Sequence, residues 1–281
     1  MAKTATMKVW NVELGLAVHI KAPNGKYVVI DLGSTKNVSP IASLMFKKVG
    51  YMVVTHPHHD HFSDINNIGW AKPDVLWRVK AYSREELLSG VREQEKDDFV
   101  AYCDFCDSYN GTVPEEDLPS SGNPFDGMKV RVFSTNSCDK ENKNNFSAVV
   151  VITLGPAKIV VCGDNEKASL TALMQRKDFK DAVKEAWILI APHHGRENGY
   201  HEDFVDNVNP YLTIISDTKK GDTSASDKYS AKSKGIKIRK SDSYFVEERK
   251  CLTTRNDGNI EIKFGECDSN PNGLLIVTTG V

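Results

Sequence analysis

The heptapeptide Thr55-His56-Pro57-His58-His59-Asp60-His61 holds half of the eight histidines of this chain within six residues. It directly follows residues 49–54, a short apolar run rich in β-branched residues that is typical of a buried strand. A loop fixed by the end of a strand holds its side chains in place. The spacing therefore predicts that this loop forms a metal site.

The order of the ligands within the loop predicts two metal ions. Alternation lets His56 and His58 point to one ion, while Asp60 and His61 reach a second ion nearby, as two-metal hydrolysis requires. The alternative is a polar loop with histidines there by chance, and their clustering argues against it. Imidazole and carboxylate ligands suit zinc first, with manganese or iron as alternatives. We therefore expect two divalent cofactors, zinc before manganese.

The length and composition predict one domain. The chain has 281 residues, of which 40% are hydrophobic, so it can bury a full core. Residues 107–127 are rich in glycine, proline and serine, which indicates a long surface connection. We expect a single domain over residues 1–281, with residues 107–127 as an insertion or a lid.

Net charge and hydropathy limit the classes of partner. A net charge of −2 gives no global attraction to nucleic acid or to acidic membranes, although a local basic patch is compatible with it. Residues 1–8 lack the apolar core of a signal peptide, and no run approaches the ~18 apolar residues needed to span a bilayer. We expect a cytoplasmic protein without membrane insertion, and the sequence indicates no particular protein partner.

The order of the predicted elements favours an α/β fold. Residues 7–31 predict an antiparallel meander of three strands, and the second half alternates strands with helices. Near the end, strands around residues 244–253 and 259–264 flank Asp257-Gly258, a pair typical of a hairpin turn. Two mixed sheets with outer helices, a four-layer αββα sandwich, accommodate this order.

A carboxylate near the middle of the chain is a candidate bridging ligand. The apolar run 158–162 is followed by Gly163-Asp164, where the glycine allows close backbone approach and a strand end delivers the aspartate. The alternative is that Asp164 caps the helix that begins near residue 165. We favour Asp164 as the ligand shared by the two ions.

A third strand end carries two adjacent imidazoles. The run 186–191 is followed by Pro192-His193-His194-Gly195-Arg196. Adjacent side chains diverge, so one histidine should bind a metal while the other acts as general acid or stabilises developing charge. The sequence favours His193 as the ligand and His194 as the catalytic partner without resolving the choice. Arg196 is expected to face the same cleft.

Three further polar residues are candidates for substrate binding. Asn144 and Ser147 could complete a metal shell or hold a phosphate oxygen; alternatively they are a turn residue and a strand-start hydroxyl. Arg255, together with Arg249, could clamp a phosphate. A solvated edge strand explains these arginines equally well.

The motifs together resemble a known family. The segments Asp31-Leu32-Gly33, 56–61, Gly163-Asp164 and His193-His194-Gly195 strongly resemble the metallo-β-lactamase superfamily of hydrolases. Within it, the chain resembles the hydrolase domain of ComEC-type competence proteins, through Asn144-Asn145-Phe146-Ser147 and the later motifs. The likeness covers about residues 8–216.

The resemblance implies roles for individual residues. It places His56 and His58 on one metal, Asp60 and His61 on the other and Asp164 between them, with a bridging hydroxide as nucleophile. It also places Asp31 in support of the ligands. A third histidine, expected within residues 136–147, is missing; this region has Asn136, Asn144 and Asn145 instead. The first metal is therefore expected to be weakly held or rich in water.

These observations predict a hydrolase, and we favour a phosphodiester substrate in a nucleic acid or nucleotide. The competence-type likeness and the pairing of histidines with Arg196 suit an anionic transition state. One alternative is a hydrolase of a small lactone, thioester or β-lactam. Another is a non-catalytic binding module that retains the fold, although intact ligands in all three motifs argue against it.

Overall fold

Two β-sheets and seven α-helices are formed by the residues that the computed structural model describes, namely 1–218, 224–243 and 246–281. The strands are β1 Thr4–Val9, β2 Val18–Lys21, β3 Tyr27–Ile30, β4 Val49–Val54, β5 Val75–Arg78, β6 Lys129–Phe133, β7 Val149–Leu154, β8 Ala157–Val161, β9 Ile188–Ile190, β10 Leu212–Ile215, β11 Ile236–Lys240, β12 Val246–Arg249, β13 Cys251–Thr253, β14 Ile260–Gly265 and β15 Leu274–Thr279. The helices are α1 Arg84–Leu88, α2 Lys96–Asp107, α3 Lys167–Met174, α4 Lys177–Val183, α5 Glu202–Val208, α6 Ser226–Lys232 and α7 Thr254–Asp257.

Both sheets are mixed. The first has the order β12-β11-β15-β14-β1-β2-β3-β4-β5, and the second has the order β13-β10-β9-β8-β7-β6. The expected meander is confirmed, because β1 pairs with β2 and β2 with β3, both antiparallel. β3, β4 and β5 are parallel to one another, as are β8, β9, β10 and β13. Each sheet therefore has a parallel part, whose strands end at one edge.

Three apolar clusters define four layers. One cluster fills the space between the two sheets, a second lies between the first sheet and α1 and α2, and a third lies between the second sheet and α3 to α6. β4 shows the reason, since all six of its residues are buried. Its Tyr51 and Val53 face the other sheet, whereas Met52 and Val54 face the helices. The αββα sandwich expected from the sequence is confirmed.

Residues 107–127 lie at the edge of the sheets where β3 and β4 begin. Phe125 is fully buried there and packs under Gly50, near the start of β4. Asn24 donates a hydrogen bond to the Pro124 carbonyl over 2.8 Å. The histidine loop follows the other end of β4, so residues 107–127 lie away from it. The expected surface insertion or lid stays a prediction.

The prediction of a hairpin turn at Asp257-Gly258 is wrong. β13 and β14 belong to different sheets, and α7 occupies part of the connection between them. The chain crosses here from one sheet to the other. Residues 244 and 245, at the start of the strand expected over 244–253, lie outside the described residues; the described part divides into β12 and β13.

Among the helices formed by the described residues, none combines the length and the apolar character that crossing a bilayer requires.

Candidate metal centre

The candidate metal centre lies where parallel strands of both sheets end. β3 and β4 are followed by Asp31 and Thr55, and the histidine loop continues from there. β8 and β9, which are parallel neighbours in the other sheet, are followed by the segments with Asp164 and His194. The carboxyl ends of parallel neighbours meet at one edge. The amide of His193 also donates to the Gly163 carbonyl over 3.0 Å, which joins the last two segments.

Four side chains from these segments form one cluster. Asp60, His61, Asp164 and His194 each offer a ligand atom, and these atoms all lie within 4.8 Å of one another. The His61 Nε2 atom is 3.2 Å from Asp164 Oδ1, and the His194 Nε2 atom is 3.4 Å from Asp164 Oδ2. Two imidazoles and two carboxylates at such distances can surround a single divalent cation.

A second pair of imidazoles lies beside this cluster. The rings of His56 and His58 have centroids 4.6 Å apart, and the His56 Nε2 atom is 3.8 Å from Asp164 Oδ2. The Asp164 carboxylate thus faces both groups of ligands, the position expected of a bridging ligand. It does not cap α3, because Glu166 is the capping residue. His59 is directed elsewhere, with its Nε2 atom 2.7 Å from Asp98 Oδ2 on α2.

Unpaired nitrogens indicate that a cation fits here. The Nε2 atoms of His56, His61 and His194 are buried, and none has a hydrogen-bond partner among the described residues. Buried polar atoms are nearly always paired, because an unpaired one costs about 1–3 kcal/mol. All three lie within 4 Å of the Asp164 carboxylate. A divalent ion would satisfy these atoms, so the residues present fit the expected metal.

Hydrogen bonds on the far side of the rings orient two of these imidazoles. The Nδ1 atom of His61 is 2.6 Å from Asp31 Oδ2, and the carboxylate also accepts bonds from the amide and hydroxyl of Thr55. The Nδ1 atom of His194 donates to the Ser216 carbonyl over 3.0 Å. With the proton on Nδ1, the Nε2 lone pair of each ring faces the cluster. Asp31 therefore lies where the resemblance implies a supporting residue.

The charges of the cluster shift its pKa values in opposite directions. Burial lowers the pKa of His194, but Asp164 and Asp60 outweigh burial and raise it to about 9. The pKa of His61 is also raised, since Asp164 and Asp31 outweigh burial. Burial raises the pKa of Asp164, yet the two imidazoles hold it well below its usual value. Protons and a cation therefore compete for the same nitrogens.

His193 lies outside the four-residue cluster, which reverses the assignment that the sequence favours. Both histidines adopt left-handed backbone conformations, with φ of 47° and 53°, so the chain turns sharply and their ring centroids lie 6.2 Å apart. The His193 Nε2 atom accepts a hydrogen bond from Arg196 over 2.9 Å. Its Nδ1 atom is 3.3 Å from Glu166 Oε1. The geometry favours His194 as the ligand and leaves His193 to hold Arg196.

Asn144 and Ser147 have different surroundings. Asn144 lines a cleft of about 410 Å³, together with His58, Asp60 and Arg196. Ser147 is fully buried, and its hydroxyl accepts a hydrogen bond from the Asp164 amide over 3.1 Å. A side chain without solvent exposure cannot contact a substrate in this cleft, so the substrate-binding role expected for Ser147 is corrected to support of Asp164.

The arginines of the second half do not form the expected clamp. Arg249 pairs with Asp257 at 3.3 Å, and Arg255 pairs with Asp217 through its Nε atom at 3.0 Å. Both partners are almost fully buried, so these pairs anchor the segment around α7. A contact between Arg255 and a substrate stays a prediction. Arg196, in contrast, lines the cleft as expected.

Sequence reasoning missed Glu166. Its Oε1 atom accepts hydrogen bonds from Asn144 and Asn198, both over 3.0 Å, and its Oε2 atom accepts one from Asn142 over 3.0 Å. The only sequence signal was its place two residues after Asp164, within a stretch that also starts a helix. Its partners are distant in the chain, so only the fold shows their convergence.

The fold is an αββα sandwich, and at one of its edges lies a His/Asp cluster that could hold a metal ion. The family model of the metallo-beta-lactamase superfamily matches residues 11–209, and the chain therefore belongs to this superfamily. Most of its members are metal-dependent hydrolases, which supports a hydrolase at this coarse level.

Individual relatives are distant. ComE operon protein 3 of Bacillus subtilis (strain 168) is 24% identical over 170 residues, which are 60% of this chain and 20% of that protein. This chain thus spans about a fifth of that relative's length. The metallo-beta-lactamase fold protein YhfI of Bacillus subtilis is 12% identical with a TM-score of 0.49, over 91% of this chain and 99% of YhfI. A long form RNase Z from yeast is 11% identical with a TM-score of 0.44, over 78% and 38% of the two chains.

Proposed function

We propose that this protein is a binuclear metal-dependent phosphodiesterase that acts on a nucleic acid or a nucleotide. Asp60, His61 and His194 would hold one ion, His56 and His58 the other, with the Asp164 carboxylate between them. Two bound divalent ions, zinc or manganese, lower the pKa of a coordinated water and stabilise negative charge in the transition state. The chain's own contribution is to hold these ligands and to bind the substrate anion.

The observation that carries the choice of a phosphodiester is the position of Arg196. It lines the cleft beside Asp60 and His194, and one of its N–H groups donates to His193. A guanidinium has five donors, so this bond orients the group while donors remain for phosphate oxygens. The likeness to competence-type hydrolase domains also points to nucleic acid. Neutral esters, in contrast, give such an arginine little to bind.

A small-molecule substrate is the second candidate. A cleft of about 410 Å³ falls in the size range of small-ligand sites, and the net charge of −2 offers no general attraction to a polyanion. A lactone or thioester would fit these two properties. Such a substrate has no anionic group for the guanidinium of Arg196 to bind.

The test compares substrates and variants in the same preparation. Protein stripped with a chelator and reloaded with zinc or manganese is given bis(p-nitrophenyl) phosphate, single-stranded and duplex DNA, RNA, a cyclic dinucleotide, a lactone and a thioester. Arg196→Ala should lower kcat/KM for phosphodiesters about ten- to a hundredfold, the loss of one charged hydrogen bond. Arg239→Ala, on the exposed side of β11, is the matched control.

The outcomes separate the candidates. Metal-dependent phosphodiester cleavage that is lost in Asp60→Asn supports the proposal. If the loaded protein hydrolyses a lactone or thioester and leaves every phosphodiester intact, the small-molecule hydrolase replaces it. If both ions bind and no substrate is turned over, the non-catalytic module becomes the better description.

A further inference from the structure

The two ends of the Asn144 side chain lie in different surroundings. Its Nδ2 group donates a hydrogen bond to Glu166 Oε1 over 3.0 Å. Its Oδ1 atom is buried and has no hydrogen-bond partner among the described residues. Leaving such an atom unpaired costs about 1–3 kcal/mol. The oxygen is therefore placed as if for a partner that is not a protein group.

Glu166 fixes the orientation of this amide. A carboxylate accepts hydrogen bonds and cannot donate them, so it binds the Nδ2 group of Asn144 and excludes the rotated amide. The same carboxylate is held by Asn142 and Asn198. Rotation would bring two oxygens together and would break this network. The free atom of Asn144 is thus an oxygen, which is an acceptor and a possible metal ligand.

The cleft shows where this oxygen is needed. Asn144 lines the same cleft as His58 and Asp164. One group already offers four ligand atoms, from Asp60, His61, Asp164 and His194. The other group has the imidazoles of His56 and His58, with Asp164 as a shared oxygen. A divalent ion bound there has three ligand atoms from the chain, one fewer than the other group offers, so a further protein oxygen would make the two sets equal.

Other asparagines of this region do not meet the requirement. The Oδ1 atom of Asn145 accepts a hydrogen bond from the Ser169 amide over 3.2 Å, so it serves the start of α3. Asn136 is exposed and lines a different pocket, with Trp77 and Lys80. Of the three, Asn144 combines a place in the cleft with a buried, unpaired oxygen.

We propose that Asn144 Oδ1 is a ligand of the ion bound by His56 and His58, and that Glu166 is the positioning residue that aims it. This inference rests on the binuclear centre of the proposed function but not on its substrate. An amide oxygen is a harder ligand than an imidazole nitrogen. The ion at this position should therefore be exchanged for manganese more readily than an ion held by imidazoles alone.

Metal binding tests this ligand without any measurement of catalysis. Isothermal titration of the chelator-stripped chain with Mn²⁺, together with Mn²⁺ electron paramagnetic resonance, gives the number of ions and their affinities. Asn144→Ala should weaken one of two ions about tenfold or more and leave the other unchanged. Asn144→Asp combined with Glu166→Gln should keep both ions, because the glutamine amide can donate to one carboxylate oxygen and leave the other as a ligand. Asn136→Ala is the matched control and should behave as the wild type.

Glu166→Gln tests the positioning role. The glutamine amide can donate to Asn144 Oδ1, so the asparagine can rotate and lose its free oxygen. Changes in groups that orient ligands typically cost about 10- to 100-fold in metal affinity, and we expect that loss for one ion. Thermal unfolding in the presence of chelator checks that each variant is folded.

Unchanged binding of both ions by Asn144→Ala would overturn the proposal, and so would a wild type that binds one ion only. A raised KM with unchanged metal affinity would make Asn144 a substrate contact instead, again overturning it. Because the readout is binding, a failure to cleave phosphodiesters would sink the proposed function and leave this inference standing.

Discussion

Asp31→Asn should weaken metal binding by forcing one imidazole into the wrong tautomer. In the wild type, Asp31 accepts hydrogen bonds from the Thr55 amide and hydroxyl and from His61 Nδ1, all between 2.6 and 2.7 Å. The asparagine oxygen can keep the bond from the Thr55 amide. Its NH₂ group then faces His61 Nδ1, where two donors cannot coexist. His61 must carry its proton on Nε2, the nitrogen that faces the metal cluster.

The size of the effect follows from either way of placing the amide. If the asparagine rotates, its NH₂ group faces the Thr55 amide instead, and a fully buried donor stays unpaired at about 1–3 kcal/mol. If the asparagine NH₂ group instead stays opposite His61 Nδ1, the free-energy cost lies in the His61 tautomer, whose Nε2 proton must be lost before a metal can bind. At about 1.4 kcal/mol per tenfold, this range corresponds to roughly 5- to 150-fold weaker binding of one ion. It agrees with the ~10- to 100-fold typical of groups that orient metal ligands.

The assay is titration of chelator-stripped protein with Zn²⁺ near neutral pH, combined with imidazole nitrogen NMR to identify the tautomer. Asp203→Asn, at an exposed position on α5, is the matched control. Thr55→Val removes one hydroxyl and should preserve the tautomer of His61. Wild-type affinity for both ions in Asp31→Asn, or a His61 that keeps its proton on Nδ1, would refute the reasoning.

Three further predictions concern stability. Burial lowers the pKa of His19 to about 3 from 6.5, so the unfolded state binds the extra proton and stability should fall as the pH drops below 6.5. The loss should be about 2 kcal/mol by pH ~5, and urea titration of His19→Gln should show a flatter pH dependence. A Cβ at Gly15, where φ is +103°, would lie 2.0 Å from the Asp60 carbonyl oxygen, so Gly15→Ala should lose at least roughly 1–3 kcal/mol and also bind metal more weakly; an unchanged Tm would contradict this. Ser147→Ala leaves the buried Asp164 amide unpaired and should cost about 1–3 kcal/mol in chemical denaturation, whereas a neutral effect would mean that another group replaces the hydroxyl.

Local patterns predicted the fold well. The run 49–54 is apolar on both faces because it is covered on both, and the meander of the first three strands follows from its turn signals. The Asp257-Gly258 error has a physical cause. A turn pair specifies a local reversal, but it does not specify which sheet the next strand joins. β14 pairs with β1 at the start of the chain and with β15, and not with β13.

The candidate site was predictable where it depends on ligand spacing. His56, Asp60, His61 and Asp164 follow strand ends, and in the structure His56 and His61 lie within 4 Å of Asp164 and His61 within 4 Å of Asp60. Which of His193 and His194 faces the ligand cluster was not predictable, because it depends on two successive residues with left-handed backbone conformations. Ser147 was misjudged for a related reason: its hydroxyl binds an amide 17 residues away, which only the fold places beside it.

The division of the ligands between the two sheets has a consequence for assembly. His56, His58 and His61 lie on the loop that follows β4 of the first sheet, whereas Asp164 and His194 follow β8 and β9 of the second sheet. Neither half of the chain carries a complete set, so the centre forms only when the sandwich has closed. Bound ions would then cross-link the two sheets. If the ions leave only when the sheets separate, the rate of metal release would measure how often that separation occurs.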